Sequence, residues 1–433
     1  MTAFLNFSDK DFELAFVKLL KAKRETNIDV SIAVSAILDD VRDRGDEAVI
    51  ELTRRFDRFE IEDLKIDADI IEKAIGQCDP EMIEALKIAA DRIKDFHKHQ
   101  LPDDLDYVDE AGLRLGYRWN AISAAGLYVP GGTAAYPSSV LMNAIPAKIA
   151  GVERLVMVVP TPDGTINPLV LAAAGVSGVN ELYRIGGAQA VGALAYGTET
   201  IAPVDKIVGP GNAYVAAAKR QVFGEVGIDM IAGPSEILVV ADKNNQPNWI
   251  AADLVSQAEH DVAAQSILIT DDAKFAERVS KEVEEILNTL PRADIAAKSW
   301  FNFGAVIIVD NLNDAPPLIN RLAPEHLELA VEDPNAIAAK VSNAGAIFLG
   351  RYAPEALGDY IAGPNHILPT ARSARFSSGL GVLDFMKRTS LISADAKSLG
   401  VVGPAAILLA KYEGLDAHAR SIALRLNQQP EEK

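Results

Sequence analysis

The sequence predicts an α/β protein built from two parallel-sheet units, and three observations support this. Between residues 113 and 380, short runs rich in apolar and β-branched residues alternate with amphipathic helical stretches. Continuous apolar strands are typical of parallel sheets that helices cover on both faces. The 433 residues exceed what one hydrophobic core usually supports, and the strands are divided by the Pro- and Gly-rich "AGPSE" near residue 234.

The elements can be assigned in chain order. The first hundred residues read as helices, with Ser8 as a cap of the first helix and with Asp79 and Pro80 at the N-cap and N1 of a later one. His97 and His99 near that helix end are expected to be solvated. After residue 380 the pattern is helical again. The candidate strands are "AGLYVPGG", "RLVMVVP", "ELYRIGG", "DKIVGPG", "SEILVVAD", "SILITDD", "FGAVIIVD" and "GAIFLGR".

Composition excludes several classes of function. The formal charge of −19 and pI near 4.8 argue against nucleic-acid binding, although an anionic cofactor needs only local donors. No apolar run approaches the ~20 residues of a membrane span, and the N-terminus lacks a signal-peptide pattern. The single cysteine, Cys78, excludes an intramolecular disulfide and a thiolate metal cluster, and it suits a reducing cytoplasm. No Gly-rich elbow or nearby histidine favours Cys78 as a catalytic thiol.

Two Gly-rich turns follow predicted strands and open helices, in "YRIGGAQAVGALAYG" and "IVGPGNAYVAAAK". Backbone N–H groups at such helix starts are ready anion sites. Neither turn has the GxGxxG or P-loop pattern, and glycines also serve simply to make tight strand–helix turns. Because two turns occur together with "LYVPGGTAAYPSS", the sequence predicts a nucleotide or dinucleotide site.

The last four histidines each have a carboxylate or amide residue close in sequence. They are His260 three positions after Gln257, His326 directly after Glu325 in "RLAPEHLELA", His366 seven after Asp359, and His418 five after Glu413. Taken singly, each histidine fits an ordinary satisfied polar residue. Together, nitrogen and oxygen donors without sulfur suit an open, catalytic Zn²⁺ site. The residues alone select Gln257, His260, Asp359 and one further histidine, without deciding which.

Five segments, in order, resemble the histidinol dehydrogenase family: "DMIAGPSEILVVAD", "SQAEHD", "APEHLEL", "GDYIAGPNHILPT" and "EGLDAH". The resemblance covers essentially the whole chain. It implies an enzyme with one Zn²⁺ per subunit that oxidises L-histidinol to L-histidine through L-histidinal and reduces two NAD⁺, in the last two steps of histidine biosynthesis. It also implies two incomplete Rossmann-like parallel-sheet domains with helical N-terminal and C-terminal extensions.

The resemblance further implies roles for individual residues. The zinc ligands are Gln257, His260, Asp359 and His418, and the acid–base pair is Glu325 and His326. Substrate is held by the four ligands, His326, Ser235, His366 and Glu413, and NAD by Tyr128, Gln189 and Asn212. The family is a homodimer whose C-terminal segment reaches the partner's site, so Glu413 and His418 are expected to act across the boundary.

The domain limits that follow are an N-terminal extension at 1–22, a catalytic α/β domain from 23–127 and 235–380, an NAD-contacting domain at 128–234 and a C-terminal segment at 381–433.

Chemically, His326 is the natural base for a hydroxyl proton, and Glu325 could activate a water for the second oxidation. Three other functions use parts of the same pattern: a related zinc/NAD dehydrogenase of another small amino alcohol or diol, a zinc hydrolase, and a non-catalytic binding module. A dehydrogenase of another alcohol would have no use for Glu413 and His418, and a zinc hydrolase would have no use for the Gly-rich turns. The zinc of a non-catalytic module would be structural and would favour Cys and His ligands.

Overall fold

The structure is a computed structural model that describes residues 2–22, 30–61, 63–131, 136–231 and 233–427. The strands in these ranges are β1 (Ala3–Asn6), β2 (Leu105–Val108), β3 (Arg114–Ala121), β4 (Ala124–Tyr128), β5 (Arg154–Val158), β6 (Glu181–Tyr183), β7 (Lys206–Val208), β8 (Gly227–Ile228), β9 (Glu236–Ala241), β10 (Gln265–Thr270), β11 (Ala305–Ile308), β12 (His326–Ala330), β13 (Ala346–Leu349) and β14 (Met386–Ser393).

The α-helices are α1 (Phe12–Lys21), α2 (Ser31–Arg44), α3 (Asp46–Asp57), α4 (Ala68–Gln77), α5 (Pro80–Lys98), α6 (Pro137–Ala150), α7 (Pro168–Ser177), α8 (Gly187–Tyr196), α9 (Ala213–Val222), α10 (Pro247–Ala258), α11 (Ala273–Leu287), α12 (Ala293–Phe303), α13 (Ala315–Leu322), α14 (Pro334–Ala338), α15 (Glu355–Tyr360), α16 (Ala396–Tyr412) and α17 (Asp416–Arg425). Among them, no helix is both long enough and apolar enough to cross a membrane.

A six-stranded parallel sheet has the order β1–β11–β10–β9–β12–β13. Its central strands are buried on both faces, which explains their unbroken apolar sequences. On β9, Ile237 and Val239 pack with helices α10, α11 and α12, whereas Leu238 and Val240 pack with α1, α13 and α14. Alternate residues of each strand therefore belong to two separate hydrophobic cores.

A second sheet of five parallel strands has the order β6–β5–β4–β7–β8. One face packs with α4, α5, α6 and α7, and the other with α2, α3, α8 and α9. The remaining strands form an antiparallel sheet in the order β14–β3–β2. The two parallel sheets divide at "AGPSE", as the sequence predicts, and all eight candidate strands are present.

Several local expectations were wrong. The first helix begins at Phe12 rather than at Ser8, whose hydroxyl instead donates to Asp310 Oδ1 at 2.6 Å. His97 is fully buried and its Nδ1 lies 2.8 Å from the carbonyl oxygen of Ile93. In contrast, Asp79 caps α5 and Pro80 occupies its first turn, as expected.

The packing also differs from the predicted grouping of two segments. Residues 1–22 were expected to form a helical extension, but β1 pairs in parallel with β11 at the edge of the six-stranded sheet. Helices α2 to α5 were grouped with the catalytic domain, yet they pack against the five-stranded sheet. The apolar faces of both segments pack on these sheets, and sequence order alone does not reveal which sheet an apolar face will meet.

Residues 229–235 connect the carboxyl end of β8 to the amino end of β9. Seven residues reach at most roughly 25 Å, so the carboxyl edge of the five-stranded sheet lies near the amino edge of the six-stranded sheet. The predicted NAD-contacting residues follow strands at the first edge. Ser235, Glu325 and His326 lie at the second edge, although open α/β sheets usually bind ligands outside the carboxyl ends of their strands.

Candidate active site

The Glu325–His326 pair lies at the start of β12, buried between neighbouring strands. His326 is in register with Ile237 of β9, and Glu325 and His326 are 7% and 4% exposed. The backbone N–H of Glu236 donates to Glu325 Oε2 at 2.9 Å, and its carbonyl oxygen lies 2.9 Å from His326 Nδ1. Adjacent residues of a strand would normally point to opposite faces. Here one residue of β9 orients both side chains.

The contacts of His326 determine which ring nitrogen is basic. A carbonyl oxygen only accepts hydrogen bonds, so Nδ1 must carry the proton that binds Glu236. Nε2 is buried and has no hydrogen-bond partner among the described residues. Burial lowers the pKa of His326 to about 4, although the nearby Asp359 carboxylate opposes this shift. At neutral pH the imidazole is therefore uncharged, and Nε2 presents a free lone pair.

Glu325 lies in an environment that disfavours its charge. Burial raises its pKa well above the ordinary value, and the negative charges of Glu236, Asp359 and Glu355 raise it further. The N–H of Glu236 opposes the shift by binding the carboxylate. A carboxylate with a raised pKa is a stronger base than a solvated one. The pair thus provides two different bases at adjacent positions.

A cavity of about 260 Å³ opens beside His326. Its wall is largely apolar, and its polar side chains include His326, Asp359 and His366. His366 is fixed at both nitrogens, since Nδ1 lies 3.0 Å from the carbonyl oxygen of Asp359 and Nε2 lies 3.3 Å from Ser139 Oγ. Because Ser139 belongs to α6, this histidine bridges the two halves of the chain. The lining residues are His326, Ala346, Ile347, Phe348, Leu349, Ala353, Gly358, Asp359, Ala362, Pro364, Asn365, His366 and Leu368.

Possible metal donors gather at the same place. Donor atoms of His326, Glu355 and Asp359 lie within 4.8 Å of one another. Gln257 Oε1, on a helix that packs against α15, is buried with no hydrogen-bond partner among the described residues. The helix α10 ends before His260, so the two residues do not share a helical face; His260 is exposed in the turn that follows. An unpaired buried amide oxygen beside nitrogen and carboxylate donors fits a borderline divalent ion.

Two further acids, Asp253 and Glu328, lie next to the donor Glu355. Asp253, Glu328 and Glu355 come from α10, β12 and α15, and Glu328 Oε1 accepts the backbone N–H of Glu355 at 2.6 Å. The carboxyl groups of Asp253 and Glu328 are hydrogen-bonded to each other, which requires a shared proton. Burial raises the pKa of Asp253 to about 6 and that of Glu355 to about 9, and it raises the pKa of Glu328 well above its ordinary value.

Sequence reasoning missed these three acids, although it contained a signal for two of them. Asp253 and Gln257 are four residues apart on α10, and Glu355 and Asp359 are four residues apart on α15. Such pairs share one helix face. Each helix therefore carries a predicted ligand and, one turn earlier, another acid, which is half-buried on α10 and buried on α15. Glu328 gave no such signal, because only the neighbouring helices make its strand position buried.

The residues predicted to contact NAD lie on the five-stranded sheet. Tyr128 ends β4, Gln189 is in the first turn of α8, and Asn212 precedes α9. Tyr128 is buried, and its hydroxyl accepts the backbone N–H of Gly187 at 3.0 Å. Gln189 Oε1 is buried with no partner among the described residues. Asn212 is exposed and caps α9.

The structure does not bring every predicted site residue to the cavity. Ser235 is partly buried just before β9, where its carbonyl oxygen accepts the N–H of Gln265. Glu413 directly follows α16 as its C-cap, and His418 lies on α17; both are exposed to solvent, and neither lines the cavity. Within this single chain, the C-terminal pair is therefore separate from the other site residues.

Comparison with known proteins identifies the family. Residues 20–426 match the family model described as histidinol dehydrogenase. The chain belongs to the histidinol dehydrogenase family. It is 66% identical to the histidinol dehydrogenase of Rhodospirillum rubrum and 62% identical to that of Rhizobium meliloti, each over 98% of both chains. The crystal structure of histidinol dehydrogenase from Elizabethkingia anophelis superposes with a TM-score of 0.94 at 36% identity, over 98% of both chains.

These findings confirm the family resemblance and the predicted fold class. The histidinol dehydrogenase family consists of NAD-dependent oxidoreductases that catalyse the final steps of histidine biosynthesis, so the chain is an enzyme of that type. The roles of individual residues remain predictions.

Replacing Glu328 with glutamine should stabilise the protein increasingly as the pH rises. The folded-state pKa of Glu328 is raised, so its contribution to stability is present below its unfolded pKa and is lost as pH rises through its folded pKa. A glutamine can accept from the N–H of Glu355 and donate to Asp253 without taking up a proton. From about pH 5 upward, the variant's thermal midpoint should gain steadily on that of the original protein, reaching a difference on the order of 2 °C.

Glu332→Gln is a matched control, because the Glu332 side chain is 85% exposed and its contact with Arg351 is a surface ion pair. Its midpoint should follow the original protein at every pH. A Glu328→Gln difference that is independent of pH would show that Glu328 is already ionised in the folded chain.

Proposed function

We propose that this chain is a zinc-dependent histidinol dehydrogenase that oxidises L-histidinol to L-histidine through L-histidinal, reducing two NAD⁺. The observation that carries the proposal is the buried Glu325–His326 pair, with a neutral imidazole whose Nε2 has no hydrogen-bond partner among the described residues, beside a cavity. Family membership supports the reaction class. The balanced reaction consumes one water and releases two hydrides and three protons.

The proposed metal ligands are Gln257, His260 and Asp359, with His418 from the other subunit. The orphaned Oε1 of Gln257 is the strongest support, since a buried amide oxygen without a partner is costly. The helices that carry Gln257 and Asp359 pack together. When bound, the ion would supply a positive charge that anchors the amino alcohol and the imidazole nitrogen of substrate.

His326 is proposed as the base of the first oxidation. Its Nε2 can accept the hydroxyl proton of histidinol while Nδ1 stays bonded to the carbonyl oxygen of Glu236. NAD supplies the acceptor for the hydride. Because the imidazole is neutral over the physiological range, it needs no prior deprotonation. Glu236 would act here only by holding the ring.

The aldehyde needs an oxygen nucleophile before a second hydride can leave. Glu325 is proposed to take a proton from water as the water oxygen bonds to the aldehyde carbon and the C=O π bond opens, which gives the monoanion of the hydrate. A thiol route has no support, since Cys78 is the C-cap of α4 and packs against the core of the five-stranded sheet. Adjacent Glu325 and His326 would thus serve successive proton transfers at one carbon.

The remaining contacts are proposed on the same basis. Ser235, His366 and Glu413 would hold substrate, and His366 lines the cavity beside His326. Tyr128, Gln189 and Asn212 would lie along NAD at the carboxyl edge of the five-stranded sheet. The buried free oxygen of Gln189 supports a polar ligand near α8.

The proposed assembly is a homodimer in the cytoplasm. Apolar side chains of the C-terminal segment are exposed in the single chain, including Ile392 at 77%, Leu409 at 65% and Leu424 at 60%. An exposed apolar surface of this kind marks a protein interface. Burial against a second copy would carry Glu413 and His418 to the partner's cavity. The single cysteine is compatible with a reducing compartment.

The first test is the yield of NADH from limiting L-histidinol. We expect two NADH per substrate molecule, lost after chelation and restored by Zn²⁺. The stoichiometry is measured by absorbance after complete reaction. One NADH would reduce the proposal to a simple alcohol dehydrogenase, and none would point to another substrate.

Glu325→Gln should slow the second oxidation more than the first. The amide keeps the hydrogen bond from Glu236 but cannot accept a proton from water. Single-turnover rates measured from L-histidinol and from L-histidinal should differ, with the aldehyde step reduced on the order of 10²-fold or more. Glu332→Gln, at an exposed carboxylate, serves as the control. Equal losses in both steps would remove the water-activating role of Glu325.

A mixture of two inactive variants should recover activity if the site is shared between subunits. In a dimer of His326→Ala with His418→Ala, one site keeps both histidines and the other lacks both. Equal co-expression should therefore restore about a quarter of the original activity per dimer. Each variant alone provides the control. No recovery in purified heterodimers would place both residues in the site of one chain.

A further inference from the structure

A buried ion pair lies behind the second Gly-rich turn and has no part in the chemistry above. Lys219, on α9, contacts Asp229, just after β8, through Nζ and Oδ1. Their side chains are only 3% and 2% exposed. Removing two charges from water is costly, and the pair offsets that cost only when further hydrogen bonds satisfy it. Those hydrogen bonds go mainly to one residue of the turn.

Both charged groups bind Gly209, the first residue after β7. Lys219 Nζ donates to the carbonyl oxygen of Gly209 at 2.9 Å, and the N–H of Gly209 donates to Asp229 Oδ2 at 2.8 Å. Asp229 Oδ1 also accepts the N–H of Met230 at 2.6 Å. The pair therefore fixes two successive peptide planes at the point where the chain leaves the sheet.

The conformation of Gly209 is one that needs support. Its φ is +111°, and a Cβ at this position would overlap the carbonyl oxygen of Tyr128. Glycine alone fits here, but glycine also has the greatest freedom to move away. Three residues later, Asn212 Oδ1 accepts the N–H groups of Tyr214 and Val215 and so begins α9. Any rotation at Gly209 would displace this helix start relative to β4.

We propose that Lys219 and Asp229 are positioning residues for the dinucleotide: by holding Gly209, they set the placement of Asn212 and the first N–H groups of α9 against the end of β4. The inference rests on the proposed NAD site at this edge. Both side chains act through Gly209, since they are buried behind the turn. Stability alone is a poor reason for the pair, because apolar residues of similar size usually replace a buried ion pair at little cost or with a gain.

The test is the full-length double variant Lys219→Met with Asp229→Leu. We expect the Kd for NAD, measured by calorimetry, and the KM for NAD to rise on the order of tenfold, as expected when a binding element is displaced. The KM for L-histidinol and kcat at saturating NAD should change less than about twofold, and the thermal midpoint should stay near that of the original protein. A purely structural pair would alter the midpoint and leave the two KM values in their original ratio.

The matched control is another ion pair of the same sheet. Arg154 Nε lies 2.7 Å from Glu181 Oε1, at the first residues of β5 and β6 and thus at the opposite edge from the turn. Arg154→Met with Glu181→Leu should leave the Kd for NAD unchanged. If the first double variant does not fold, Asp229→Asn alone is measured, and a rise of about threefold in Kd for NAD is expected.

The outcomes separate this inference from the proposed function. An original protein that binds NAD, together with a folded Lys219–Asp229 double variant whose Kd is equal within twofold, would overturn the positioning role and leave the enzyme assignment intact. An original protein that does not bind NAD would overturn both. A rise in Kd for the control pair as large as for the test pair would also overturn the inference, because the effect would then come from the sheet in general.

Discussion

The parallel pairing of β12 with β9 is the constraint on which the site depends. In this register, the peptide groups of Glu236 meet Glu325 on one side and the ring of His326 on the other. The carboxylate of Glu236 also accepts the N–H of Ala371, which follows the segment that carries His366. A slip of one residue would reverse the direction of every side chain on β12. Strand pairing therefore determines which imidazole nitrogen faces the cavity.

The site lies between the two parallel sheets, where the amino edge of the six-stranded sheet is near the carboxyl edge of the five-stranded sheet. Contacts across this boundary are specific: His366 meets Ser139 of α6, and Asn365 Nδ2 donates to the carbonyl oxygen of Met142 at 2.7 Å. Both partners on α6 belong to the half that carries the Gly-rich turns. A substrate bound beside His326 and a cofactor bound along those turns would then meet between the halves, so the relative placement of the two sheets is itself part of the active site.

The sequence predicted the features that depend on local pattern and missed those that depend on tertiary neighbours. Continuous apolar strands and the division at "AGPSE" were visible, and Glu325 and His326 were singled out as a pair whose catalytic role stays a prediction. The strand β12 was not, because "HLELA" places polar residues at the buried positions 326 and 328, a pattern that elsewhere indicates a solvated segment. The burial of His97 was also missed, because a histidine at a helix end becomes buried only through packing against other elements. The sequence located the first turns of α8 and α9. It did not indicate the pair that supports Gly209, because Lys219 and Asp229 are polar residues ten and twenty positions further along the chain.

The buried acids also change the charge that the protein presents. The formal value of −19 counts every carboxyl group as ionised. Burial raises the pKa of Glu355 to about 9, so this group is neutral near pH 7, and it raises the pKa of Glu328 well above its ordinary value. The folded chain is therefore less negative than its composition indicates, and folding at neutral pH takes protons from the buffer. Its electrophoretic mobility therefore depends in part on the protonation of carboxyl groups that solvent does not reach.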